Sequence, residues 1–240
     1  MSYQYPGTLP TPFSEARIGE TFTAVMRRVY LWMALGLLLT AGMAAFVSTS
    51  SLFNVFVGQP LIFFALFIGE LALVAGISWG INRLSPGTAL VLFFVYAAIN
   101  GITLSVLFVA YTLGSVAHTF VATASLFAAM SIIGYTTKMD LSKAGGYLLM
   151  ALIGLIIAMV VNMFWANSTL EWIVTFAGIF IFLGLTVYDT QRIKGMTVTA
   201  LNQGDELVLT RVGVIGALRL YLDFINLFLM LLRLMGGRRR

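Results

Sequence analysis

The sequence predicts an all-α membrane protein with seven transmembrane helices in a single domain. Two observations carry that reading. Hydrophobic residues make up 60% of the 240 residues and charged residues only 10%, with a mean hydropathy of +0.98; a soluble domain carries about a quarter charged residues. The apolar residues are also gathered into runs of roughly 20, the length that crosses a bilayer core as a helix. The predicted layout is a cytoplasmic tail over residues 1–28, a membrane domain over 29–235 and a short basic tail over 236–240.

The first segment is polar, contains three prolines and has no apolar h-region, so no cleaved signal peptide is expected. It turns helical near Ser14, whose side chain suits a helix cap ahead of Arg27 and Arg28. Spans follow at Val29–Val47, Leu61–Ile81, Thr88–Tyr111, Thr119–Tyr135, Tyr147–Trp165, Glu171–Tyr188 and Ala217–Met235. Val29, Thr88 and Tyr147 are evenly separated by about 59 residues, which hints at three repeated hairpins; bilayer thickness plus short loops would give the same spacing. Segment 190–211 reads as a connecting loop. Gly36, Gly42, Gly76, Gly80, Gly178 and Gly184 let helices approach closely. Trp32, Trp79, Trp165 and Trp172 fall near span ends and belong to interfacial belts. Asn100 and Asn162 are expected to hydrogen-bond between helices.

Charge sets the topology. Arg17, Arg27, Arg28, Arg83, Lys138, Lys143, Arg192, Lys194 and Arg211 all fall on one side if each run spans once, and the opposite loops hold no Lys or Arg. Cytoplasmic loops carry the basic excess, so the N-terminus is cytoplasmic and the net charge of +5 reports topology rather than a nucleic-acid partner. Only Arg233 and the Arg238–Arg240 tail depart from the pattern. The last run either crosses against the rule or re-enters; its length and lack of proline favour crossing. Cysteine is absent and His118 is the one histidine, which excludes disulfides, thiolate metal sites and a multi-histidine centre within the chain. No resident cofactor is called for.

Three acids need an explanation. A charge at the bilayer centre costs at least ~2.5 kcal/mol, so acids within spans usually mark ion or proton pathways. Glu70 lies mid-span in FFALFIGELALVAG and must be protonated, bonded to another helix or facing water. Asp189 ends the sixth run in LGLTVYDTQRIK, where Arg192 or Arg83 is an available partner. Asp223 lies in ALRLYLDFINLFLMLLRLM, four residues after Arg219, so an Arg219–Asp223 pair on one helix face is the simplest arrangement. If the last helix entered the membrane at Val212, Asp223 would lie ~16 Å deep and out of reach of Asp189. If Arg219 instead snorkels to the interface, Asp223 is only ~6 Å further in and the two aspartates can meet.

Two carboxylates in contact in a poorly hydrated site cannot both ionise cheaply, so they share a proton and sense pH. Deprotonation leaves two repelling charges that open a path or admit a hard cation preferring oxygen ligands, Ca2+ above all. Asp189 and Asp223 are therefore the expected pH-sensing pair and Ca2+ contact. Arg83 is expected to neutralise Asp189 in one state and release it in another, with Glu70 a second gating acid.

The stretch from Ile99 to Ser142, then YLLMALIGLIIAMVVNMF, VYDTQRIK and LYLDFINLFLMLLRLMGG, resembles the Bax inhibitor-1 family, in its bacterial inner-membrane branch. The resemblance covers residue 20 to the C-terminus. It implies a central last helix surrounded by the other six, and a Ca2+ leak gated by pH through two aspartates that match Asp189 and Asp223. The family's arginine at the end of the second helix matches Arg83, and its acid in that helix matches Glu70 by position.

Other classes are weighed against the leak. An intramembrane aspartyl protease would place its second aspartate after a Gly-x-Gly pattern, with Pro-Ala-Leu downstream; here Asp223 follows Leu-Tyr-Leu and no such tripeptide occurs, so the chain is not expected to be an enzyme. A non-transporting stress protein that regulates another membrane protein, such as a quality-control protease, would use the polar tail as its handle. A proton-coupled transporter would use Glu70, although the broken helices of transporter sites are not evident.

Overall fold

In the computed structural model, residues 15–204 and 206–237 are described, and every long element among them is an α-helix. In order these are α1 (Glu15–Thr49), α2 (Leu52–Gly58), α3 (Pro60–Gly80), α4 (Pro86–Ala110), α5 (Leu113–Thr136), α6 (Ser142–Trp165), α7 (Ser168–Gln203) and α8 (Glu206–Met235). All except the short α2 are long and apolar enough to cross a membrane, giving seven spans. Local sequence sets the starts. Pro60 and Pro86 open α3 and α4, where a missing N–H is harmless. Ser85, Thr112 and Asn167 accept hydrogen bonds from the backbone N–H three residues on and so cap α4, α5 and α7.

Three helices, α1, α7 and α8, clearly outrun the bilayer. The 36 residues of α7 span, at 1.5 Å each, roughly 54 Å against a hydrocarbon core of ~30 Å. Segment 190–211, expected as a loop, is thus mostly helical: α7 continues to Gln203, Gly204 turns the chain at φ 67°, and α8 starts at Glu206. The reason is amphipathic spacing, since Ile193, Thr197, Ala200 and Leu201 are buried on one face. Half of the expected tail is likewise helical, from Glu15, with Phe22, Val25 and Met26 joining the same hydrophobic cluster as Ile193, Ala200 and Val212. Residues 1–14, including the Ser14 cap, and Arg238–Arg240 lie outside the described residues.

The last helix is the most buried of the seven spans. It packs chiefly on α7, α1, α5 and α4; α3 lies against α4, and α6 against α7. The expected ring of six is thus an inner ring of four with two outer helices. The three sequence hairpins are not three packed pairs either: α6 packs on α7, but α1 pairs with α4 and α5 with α7. Equal spacing reflected span length, not a repeated unit of packing.

Close approach depends on two glycines. A side chain at Gly101 would meet the Thr40 carbonyl oxygen at 2.6 Å, and one at Gly134 the Val187 carbonyl oxygen at 2.5 Å. Gly101 therefore seats α4 on α1 and Gly134 seats α5 on α7. Outward faces present residues such as Leu38, Leu61 and Phe180, which lipid covers. Trp79, Trp165 and Trp172 are exposed as a belt requires, whereas Trp32 is half-buried against Gly213. Asn162 accepts from the Asn167 N–H and closes the α6–α7 turn instead of bridging helices.

Beyond Met235, Gly237 receives a hydrogen bond from the Thr112 N–H at 3.2 Å and donates its own N–H to Ser115 Oγ at 2.9 Å. The far end of α8 is thereby fixed to the α4–α5 turn, opposite the basic loops. The last helix crosses.

Candidate functional site: an acid pair on one arginine

Asp189 sits on α7 where that helix leaves the span, between Thr186 and Thr190, whose hydroxyls donate to the carbonyls of Phe182 and Thr186. These threonines satisfy themselves within the helix and leave the carboxylate to find its own partner. Arg219 supplies it, with Nη1 donating to Asp189 Oδ1 at 3.0 Å. The Arg219–Asp223 pair suggested by helical spacing is not formed. The guanidinium turns from its own helix to α7 and ties the two helices together, leaving Asp223 without an ion-pair partner among the described residues.

Asp223 lies one helical turn deeper and is 5% exposed, beside 6% for Asp189. Its Oδ2 has no hydrogen-bond partner among the described residues, nor does Arg219 Nε. The charges it feels are those of Asp189 and Arg219. The aspartates therefore converge electrostatically around one guanidinium, with no hydrogen bond between the carboxyl groups. Arg219 near the interface is the condition under which the sequence allowed the two acids to meet.

Arg83 is not at this site. It is exposed in the turn after α3, and the cation on Asp189 is Arg219 instead. Arg192 stacks over the Tyr188 ring at 5.9 Å and donates to its hydroxyl at 3.4 Å. Asp140, at the α5–α6 turn outside the spans, accepts from the Ser142 hydroxyl and N–H, which hold its carboxyl below the usual range. It stays ionised around neutrality and does not sense pH there. His118 is exposed.

Glu70 opens a second polar cluster, 7% exposed. Thr103 Oγ1 donates to Oε1, and Asn100 Nδ2 donates to Oε2 at 3.3 Å. The Asn100 carbonyl accepts from the Tyr221 hydroxyl at 3.2 Å, and that hydroxyl lies 2.6 Å from Thr40 Oγ1, which also reaches the Ala97 carbonyl at 2.8 Å. One chain of polar groups thus links α3, α4, α8 and α1 through the apolar core. Thr40, Thr103 and Tyr221 were not singled out from the sequence. The available signal was that a Tyr in a lipid-length run needs a partner for its hydroxyl; Asn100 and Thr103, three apart on α4, already share a face.

As cation ligands the acids are sparse. No group of three or more His, Cys, Asp or Glu comes together among the described residues, whereas held Ca2+ takes six to eight oxygens. Two carboxylates beside an arginine fall short of such a holding site.

Seven helices, an acid pair buried on one arginine and a polar chain through the core define a polytopic membrane protein with ionisable groups at its centre. The family described as "Inhibitor of apoptosis-promoting Bax1" matches residues 23–240, and the chain belongs to this Bax inhibitor-1 family. It is 47% identical over 215 residues to the inner membrane protein YbhL of Escherichia coli, covering 89% of this chain and 92% of that one. An uncharacterized protein of Rickettsia prowazekii is 40% identical over 241 residues, covering 98% of both chains. An uncharacterized membrane protein of Streptococcus pyogenes is 37% identical over 217 residues, covering 87% of this chain and 90% of that one. With seven spanning helices and an inner membrane relative of this similarity, the chain is a multi-pass inner membrane protein.

Proposed function

We propose that the protein is a pH-sensitive Ca2+ leak pathway whose gate is the Asp189–Arg219–Asp223 cluster. The observation that carries this reading is the unpartnered Asp223 carboxyl oxygen buried beside an ion-paired Asp189. In the closed state Arg219 clamps α8 to α7 through Asp189, and Asp223 holds a proton, because a second uncompensated anion in so dry a place is costly. Loss of that proton sets two carboxylates competing for one guanidinium. The clamp weakens, α8 separates from α7, and the freed oxygens offer a hard cation a transient site. Glu70, both oxygens hydrogen-bonded in this state, is the second acid a permeating ion meets. No catalytic step belongs to this reading.

Ca2+ flux into proteoliposomes across a pH series tests it. Flux is expected to rise with pH in the parent, and to lose its pH dependence in Asp189→Asn and Asp223→Asn. Unchanged pH dependence in both variants would overturn the gate. Absence of flux from the parent at every pH would overturn the leak itself.

A further inference from the structure

The basic end of the bundle holds an open cavity of about 920 Å3, lined by the turn after α3, the end of α5, the α5–α6 turn, the extended part of α7 and the start of α8. Lys138, Arg192, Lys194 and Arg211 line it, and among the described residues Asp140 is the one acid in its lining. Asp140 is already engaged by the hydroxyl and N–H of Ser142. No ion pair is made by any of the four cations among the described residues. Arg211 spends its Nε on the Leu84 carbonyl at 3.2 Å, Arg192 stacks on Tyr188, and the Lys194 ammonium stands 5.9 Å from the Phe22 ring centre. Those contacts position the cations without neutralising them.

Four like charges from three segments around one concavity repel one another, and low-dielectric walls focus their field. Such a surface is poorly suited to Ca2+ and well suited to a compact polyanion, which guanidinium and ammonium groups bind by charge-assisted hydrogen bonds. We infer that this cavity is a binding site for a phosphate-bearing anion. The same chemistry is presented by free phosphate and by an anionic lipid headgroup, and the cavity's place at the basic end is reachable by both. Asp189, Arg219 and Asp223 do not line it, although the charge of Arg192 also reaches Asp189.

The test reads binding, not flux, so it stands or falls separately from the leak. Pyrophosphate is titrated calorimetrically into detergent-solubilised protein at constant ionic strength, and in a second arm phosphatidylglycerol is titrated into phosphatidylcholine nanodiscs with thermal stability as the readout. Lys138→Gln/Lys194→Gln, both exposed positions, is expected to weaken binding at least tenfold. Arg28→Gln/Lys143→Gln, which removes equal charge from the same end but outside the cavity, should bind as the parent does. Binding in the first arm alone assigns free phosphate, and in the second alone a lipid headgroup; both outcomes support the site. No binding in either arm, or equal weakening by the two double variants, overturns it.

Discussion

Arg219 holds one carboxylate and faces a second, and that asymmetry makes its role measurable. Replacing it with Gln leaves Asp189 without a cation, whereas Asp189→Asn/Arg219→Gln removes both charges. The single variant is expected to be the less stable of the two, with a coupling of roughly 1–3 kcal/mol, below that of a fully buried pair because Arg219 is partly exposed. A double-mutant cycle of thermal unfolding in detergent checks this, and additive effects would remove the clamp from the mechanism. Tyr221→Phe removes the hydroxyl that bridges Asn100 and Thr40 while keeping the ring edge-on against Phe93 and Tyr96. Its expected cost is about 1 kcal/mol. At this scale the sequence was informative about which groups matter and poor on who pairs with whom. The acids stood out against their apolar runs, but the spacing of Arg219 and Asp223 pointed to a pair within one helix. A contact between α7 and α8 depends on how two helices are rotated against each other, and no local pattern records that.

For elements, start and stop signals and span lengths were legible, because prolines, caps and apolar runs act within a few residues of themselves. The extensions of α1 and α7 were not read, since Phe22, Met26, Ile193 and Ala200 lie among polar residues and are buried by a cluster gathered from several helices. Helix adjacency was equally hidden, being decided by glycines whose partners are far away in sequence. Gly134→Val would drive a side chain into the backbone of α7 close to Asp189, and Gly101→Val into α1. Each is expected to cost roughly 1–3 kcal/mol by overpacking. Gly42→Ala and Gly154→Ala, where an added Cβ meets nothing within 4 Å, should be neutral or slightly stabilising. Thermal unfolding of the four variants separates the classes.

For the molecule as a whole, loop charge anticipated which connections share a side, and the crossing of α8 resolves the one departure. Because the natural chain has no cysteine, a single introduced thiol reports its side directly. Gly237→Cys should react with an impermeant reagent added outside intact spheroplasts, and Lys143→Cys only after lysis. The opposite result for Gly237 would return the tail to the basic side.

The bonds from Gly237 to Thr112 and Ser115 carry a mechanical consequence. With its outer end moored, α8 is a hinged lever whose inner part carries Arg219 and Asp223 past Asp189 on α7. Arg219, which bonds Asp189, is sixteen residues from Met235, an arm of about 24 Å, so a swing of about 5° carries it roughly 2 Å. That is enough to part a hydrogen bond while the outer half of the helix stays seated. For the proposed gate, opening is expected to begin at the basic end with the Gly237 bonds intact, so a reporter on the α4–α5 turn should stay silent while one beside Asp189 responds.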